Sequence, residues 1–241
     1  SGFDTRDGKN GEWFQLFQIG FGGVPGRPIG DGPDGHSLWP SFTNVPNEFI
    51  ESYFPLRIEQ YCTIPDSGGA GLHRGGNGLS VGYRFLSDGE VAIHDERWLT
   101  YPWGVLGGDT GLRSSKLLIR TDGSKEWLPS KVEGVKVKEG DMLYFNTWGG
   151  GGWGDPLERD PELVLQDVNR RLVTNEGALR YGVVIGSDGA VNIEQTEQLR
   201  AEIRQNRTEL PLFNFGGELE DIRSRCQKET HLPAPVAPTF Q

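Results

Sequence analysis

Four histidines, at positions 36, 73, 94 and 231, are the side chains best suited to exchange a proton near neutral pH. His94 opens the run His94-Asp95-Glu96-Arg97-Trp98. An imidazole oriented by a carboxylate is a plausible acid or base, and a salt-bridged surface turn is the competing reading of the same cluster. His36, between Gly35 and Ser37 in a loop that also holds Trp39 and Phe42, is the second proton-transfer candidate. His73 and Arg74 lie between two glycine clusters, Asp66-Ser67-Gly68-Gly69-Ala70-Gly71 and Gly75-Gly76-Asn77-Gly78. Backbone amides of such a loop beside a guanidinium suit a carboxylate or phosphate, although a structural hairpin loop is the reading the residues favour. His231, near the tail, is expected to face solvent.

Residues 147–161 carry the most specific pattern: Gly149 to Gly152 in succession, flanked by Trp148 and Trp153 and closed by Asp155-Pro156 and Asp160-Pro161. Four successive glycines predict either positive φ or a close backbone approach. The tryptophans would wall a ligand-facing loop, or the run is a tight connection from strand to helix.

Several chemistries lack their motifs. No His-x-His or His-Glu-x-x-His pairing and no His/Cys cluster is present, so no metal ligand is assigned. The glycine spacing misses the dinucleotide fingerprint, no Gly-Lys-Ser/Thr follows it, and no Gly-x-Ser-x-Gly elbow frames a serine. Cys62 and Cys226 match no metal or redox spacing, and a reduced cytoplasm is their simplest setting. A net charge of −10 argues against diffuse attraction to nucleic acid or anionic membrane. No apolar run reaches the ~20 residues of a membrane span.

The elements that must position these residues are mostly strands. Thirty-six glycines and 15 prolines in 241 residues imply many turns and short strands. Alternation and turn signals place strands at 12–19, 55–63, 78–87, 90–95, 115–121, 132–137 and 141–147. They predict a β-rich α+β fold, an antiparallel barrel or sandwich over 1–150. After the glycine run the period changes. Asp160-Pro161 followed by Leu163, Val164, Val168 and Leu172 predicts a helix over 161–173. A helical turn at 175–180, a strand at 181–185, helices at 194–207 and 217–229, and an extended Pro-rich tail complete a second unit, 151–241.

The ordered set Pro65 to Gly71, Arg74 to Gly78, Pro102-Trp103-Gly104, Leu128-Pro129-Ser130-Lys131 and Gly149 to Pro156 resembles the C-terminal portion of the hydantoinase B/oxoprolinase family. The resemblance runs from about residue 18 to 230. It implies a cytoplasmic heteromeric enzyme in which a hydantoinase A-like partner binds ATP. The reaction implied is opening of a cyclic amide such as a hydantoin or 5-oxoproline, or biotin-independent carboxylation of a ketone of the acetone or acetophenone type. A non-catalytic scaffold within such a complex is the third reading. The family's N-terminal half, whose histidines and aspartates resemble metal ligands, has no counterpart here. The chain therefore looks like part of a split or cleaved B-type component, with the metal-bearing half as a separate chain. Ser1-Gly2-Phe3-Asp4, with no initiator methionine, likewise reads as a loop from a longer polypeptide. On this resemblance His94 and His36 are the catalytic candidates, and Arg74, His73, Trp39, Trp103, Trp148 and Trp153 the substrate-binding ones.

Overall fold

The computed structural model describes residues 1–36, 42–207 and 209–236. Three antiparallel sheets organise the described residues. The largest runs β3 (Leu56–Thr63), β4 (Leu79–Phe85), β10 (Met142–Asn146), β7 (Ser115–Ile119) and β8 (Lys125–Trp127). The second runs β2 (Glu12–Phe14), β1 (Gly2–Asp4), β5 (Gly89–His94) and β9 (Lys131–Val137). The third pairs β6 (Gly104–Val105) with β11 (Phe213–Asn214). Helix α1 (Asn47–Tyr53) leads into β3 and buries Ile50.

Alternation decides how the first two sheets meet. Leu56, Phe85, Leu118 and Leu143 point from the five-stranded sheet into a core that also takes Ile93 and Val137 from the four-stranded sheet. This is the two-sheet arrangement of a sandwich, whereas the predicted barrel alternative is not formed. The five-stranded sheet ends at β3 and β8, and neither edge pairs onward to close a ring. The strand expected over 12–19 ends at Phe14, because residues 15–22 leave the sheet as an extended strap.

Between sheets and helices lies a bundle of extended, glycine-rich segments held by backbone hydrogen bonds. Gly150 N–H donates to Gly76 O (2.8 Å), Gly69 N–H to Gly150 O (2.8 Å), Gly26 N–H to Gly151 O (2.8 Å) and Gly152 N–H to Asp109 O (2.9 Å). None of Gly149 to Gly152 has positive φ, so close approach is what demands glycine there. A Cβ on Gly149 would sit 1.8 Å from Ser67 O, and one on Gly151 1.6 Å from Trp103 O.

The helices pack on this bundle. Asp160 caps α2 (Pro161–Asn169) by accepting from Glu162 N–H at 2.9 Å, as Asp-Pro predicts. Val164, Val173, Ala178, Tyr181 and Val183 then form a second core with Ala70 of the glycine loop. α3 (Asn175–Ala178) passes into a 3-10 turn ending at Tyr181. The strand expected over 181–185 does not form. Gly182 turns the chain at φ 62°, and Val183 is buried and Val184 half-buried as irregular backbone. α4 (Ile193–Asn206) and α5 (Leu219–Thr230) match their expected ranges within about two residues. Among the described residues no helix is long and apolar enough to cross a membrane. Both cysteines are free, Cys62 exposed and Cys226 buried.

Candidate functional site

The strap of residues 15–22 runs across the open end of the two sheets, held there by close contacts. A Cβ on Gly22 would meet the Trp148 indole at 2.3 Å, and one on Gly20 would meet Phe145 and Thr147 at 3.1 Å, so the strap lies flat on those side chains. Thr147 Oγ1 donates to Phe21 O (2.7 Å) and Tyr83 Oη to Gln18 Oε1 (2.9 Å), pinning it at two points.

A groove opens on either side. One, of about 450 Å³, is lined by Gln15, Leu16, Ile93, His94, Phe145 and Trp148, with Glu90, Asp95 and Glu96 adding carboxylates. The other, of about 480 Å³, is lined by Phe21, Val24, Pro25, His36, Phe42 and Trp148. Trp148 is shared, and among the described residues neither lining contains a lysine or arginine side chain. The structure thus brings Trp148 to both catalytic candidates but places His94 and His36 in separate grooves. His94, at the end of β5, is exposed, with Nε2 3.4 Å from Glu133 Oε1.

Beneath the His94 groove sits a polar cluster that the sequence does not advertise. Lys116 is fully buried on β7, its ammonium in contact with Asp95, 3.1 Å from Ser114 Oγ and 5.0 Å from the centre of the Phe145 ring. Ser114 Oγ also bonds to Asp95 and donates to Glu96 O at 2.9 Å. Burial, helped by the Lys131 ammonium, pushes Lys116 down to about 7. The touching Asp95 carboxylate works in the opposite sense. A neutral amine would leave that buried carboxylate with only a hydroxyl, so the pair is charged at neutral pH.

Arg74 lies elsewhere, under the glycine bundle, 4 % exposed. Its Nη1 donates to Asp34 Oδ1 (2.8 Å) and Gly75 O (2.8 Å), and its Nε lies 3.7 Å from Asp167 Oδ2. Burial opposes its charge, and the Asp34 carboxylate more than restores it. Arg159 continues the network, donating to both oxygens of Asp31 (2.7 Å each) and to Asp167 Oδ2 (2.9 Å). Burial pushes both carboxyls up. It prevails at Asp167, while at Asp31 the hydrogen bonds from Arg159 and the Arg74 amide hold it below the usual range. The guanidinium and glycine amides that suited an anion are thus committed within the fold: Gly75 N–H donates to Gly69 O (2.9 Å) and Gly76 N–H to Val24 O (2.8 Å).

His73 packs near this network, its ring 5.6 Å from that of Trp153 and its Nδ1 3.9 Å from Asp31. Trp103 is half exposed, edge-on to Phe215 at 5.0 Å and 5.6 Å below the Arg97 guanidinium, on the face carrying β6 and β11. Trp39 lies outside the described residues. Asp31, Asp34, Arg159, Asp167, Lys116 and Gln18 were not singled out from sequence, because their partners are remote in the chain and no local spacing reveals them. Among the described residues, no three His, Cys, Asp or Glu side chains converge to hold a metal.

Comparison with known proteins bears on what these grooves serve. Residues 1–156 match the family model described as Hydantoinase B/oxoprolinase. An uncharacterized protein of Methanocaldococcus jannaschii is 40% identical over 161 residues, covering 65% of this chain and 28% of that protein. The B component of a putative D-/L-hydantoinase from Pseudomonas sp. (strain NS671) is 35% identical over 196 residues, covering 80% of this chain and 33% of that protein. Among solved structures, the ATP-dependent caprolactamase from Pseudomonas jessenii superposes with a TM-score of 0.67 at 28% identity, covering 75% of this chain and 32% of that one. The chain spans about a third or less of the length of these relatives.

Proposed function

The chain belongs to the hydantoinase B/oxoprolinase family, and from that premise we propose that it forms part of the B-type component of an ATP-dependent complex that hydrolyses a cyclic amide. The single observation that carries hydrolysis over carboxylation is the lining of the two grooves. They offer apolar walls, imidazoles, carboxylates and the Gln15 and Gln18 amides, and among the described residues no lysine or arginine side chain. A carboxylase must hold bicarbonate or an activated carboxylate, a charge that guanidinium or ammonium side chains bind best. A hydrolase must hold a neutral ring amide and draw a proton from water, which calls for apolar surface and an acceptor.

In this reading Trp148 and Phe145 hold the ring in the groove. His94, with Glu133 beside one nitrogen, takes the proton from water through the other; His36 serves the second groove in the same capacity. ATP supplies activation of the amide oxygen and is bound by a hydantoinase A-like partner, since the amides of Gly69, Gly75, Gly76 and Gly150 are engaged with backbone carbonyls and do not fit a phosphate. A metal, where the reaction uses one, is held by B-type sequence outside these 241 residues, in a complex placed in the cytoplasm.

The test is purification of the complex under mild conditions, identification of its chains by native mass spectrometry, and turnover of hydantoins and lactams with ATP, with and without bicarbonate. ATP-dependent ring opening that ignores bicarbonate and falls at least about 100-fold in His94→Ala supports the proposal. A strict bicarbonate requirement assigns the complex to carboxylation and refutes it.

A further inference from the structure

The face carrying β6 and β11, away from both grooves, is apolar and uncovered. Trp103, Leu106, Leu210, Leu212, Phe213 and Phe215 are each between 39 and 59 % exposed. They adjoin one another. Trp103 meets Phe215 edge-on at 5.0 Å, Phe215 stacks beside Phe213 at 6.1 Å, Leu106 N–H donates to Leu212 O at 2.8 Å, and a Cβ on Gly107 would touch Leu210 at 3.1 Å. A contiguous apolar patch of this kind marks an interaction surface. The backbone points the same way. Leu106 has φ 53° and Arg97 φ 57°, the left-handed region that glycine would occupy without strain and a bulky side chain occupies at a cost. What Leu106 adds there is an apolar side chain that this chain leaves half exposed, so its packing reward lies outside the chain.

The chemistry of the occupant follows from charge and length. The Arg97 guanidinium lies 5.6 Å over the Trp103 ring and has no carboxylate partner among the described residues, while its neighbour Glu96 is turned to Lys131 at 2.9 Å. Arg225, bonded to Gly216 O beside Phe215 and 5.1 Å over the Tyr101 ring, has none either. A guanidinium stacked on an aromatic face keeps its N–H edges for a carboxylate. In the relatives, one chain is about three times as long as the part that this chain covers, 33% of the hydantoinase B component and 32% of the caprolactamase chain. Half-exposed aromatics with arginines above them are what a permanent contact looks like when it is opened. We propose that this face seats B-type sequence outside these 241 residues, through a segment of aliphatic or aromatic side chains that carries one carboxylate for Arg97. The inference rests on the chain being part of a B-type component and is independent of whether the complex hydrolyses or carboxylates.

The experiment places the photo-crosslinking residue p-benzoylphenylalanine at position 212, in place of Leu212, within the complex purified under mild conditions, and maps the adducts by peptide mass spectrometry. The adduct forms on B-type sequence outside these 241 residues, in a peptide with an aspartate or glutamate. Arg97→Glu lowers its yield at least about tenfold, and reversing that acidic residue to arginine in the same complex restores most of it. Arg57→Glu, an exposed arginine on β3, is the control for net charge and leaves the yield unchanged. Phe215→Ser, at a half-exposed side chain outside both cores, lowers it about fivefold and gives a second reading if Arg97→Glu fails to fold. Adducts within these 241 residues, on a second copy, on the ATP-binding partner or with solvent alone overturn the proposal, as does a yield indifferent to Arg97→Glu and Phe215→Ser. A bicarbonate requirement, which refutes the hydrolase reading, leaves every one of these adducts in place.

Discussion

Replacing Gly151 with alanine tests the claim that the glycine bundle is held by backbone contact with no room for a side chain. The added Cβ would lie 1.6 Å from Trp103 O and 3.1 Å from Gly104 N, against backbone on both counts. No flexible side chain can swing aside, so the segment must retreat by about 1.4 Å to reach the 3.0 Å that real Cβ atoms tolerate. A retreat of that size breaks the bonds from Gly26 N–H to Gly151 O (2.8 Å), Val105 N–H to Gly152 O (3.0 Å) and Gly152 N–H to Asp109 O (2.9 Å). At about 1 kcal/mol for each, with about 1–3 kcal/mol for overpacking, the cost is roughly 4–6 kcal/mol. That is a large part of the ~5–15 kcal/mol typical of a domain, so the variant should be largely aggregated or molten at 37 °C. Gly30→Ala is the control. A Cβ there meets nothing within 4 Å and its φ is not positive, so it should be neutral or gain up to about 1 kcal/mol. Urea denaturation followed by tryptophan fluorescence measures both. A Gly151→Ala midpoint within error of that of Gly30→Ala would refute the close-approach argument.

Three further outcomes follow from the buried polar groups and the helix cap. In Asp95→Asn, Lys116 loses its counter-ion and burial holds its folded pKa below the ~10.4 of the unfolded chain. The unfolded state then binds more protons between the folded and unfolded pKa values, so stability rises with pH toward about 10, a slope that denaturation at pH 6 to 10 would detect. Arg159→Met leaves the buried Asp167 facing Arg74 alone and strips the part-exposed Asp31 of its guanidinium bonds, and should cost about 3 kcal/mol, while Arg159→Lys, unable to bridge both carboxylates, recovers less than half of it; thermal melts give the ordering. Asp160→Ala removes the cap of α2 and should lower stability by about 1 kcal/mol, with increased hydrogen exchange confined to the first turn.

The sequence was most legible where side chains carry the periodicity. β3, β4, β7 and β10 alternate inward and outward residues between glycine and aspartate turns, and Asp160-Pro161 announces α2 with a capping residue and a preset φ. It was least legible where backbone or distant charge holds the fold. Val183 to Ile185 look like a strand, but Val183 and Ile185 are apolar because they fill or pack on a core beside Tyr181, not because they join a ladder. Helix α1 follows Pro46, buries only Ile50 in its short span and has no side-chain cap, so no helical pattern marks it. Of the site candidates, the Trp148 and His94 pairing was within reach, because Trp148 borders the glycine run and His94 ends a strand. The commitment of Arg74 was not, since Asp34 and Asp167 lie far from it in the chain.

The glycine bundle also dictates a timetable for synthesis. Val24 finds Pro33 O and Gly76 N–H early, but Gly23 N–H bonds to Trp148 O and Gly26 N–H to Gly151 O, so the earliest segment of the bundle waits for the latest to complete its bonds. While the ribosome makes the residues between them, the glycine stretches have no side chains with which to collapse and remain open to solvent. The sheets, built from nearby hairpins such as β3 with β4, can form meanwhile. Closure of the bundle is therefore a late, zipper-like event. It also brings the segment leading into the helices against Ala70 and the first part of the chain, so the helical region docks only after the hydantoinase B-like portion has emerged.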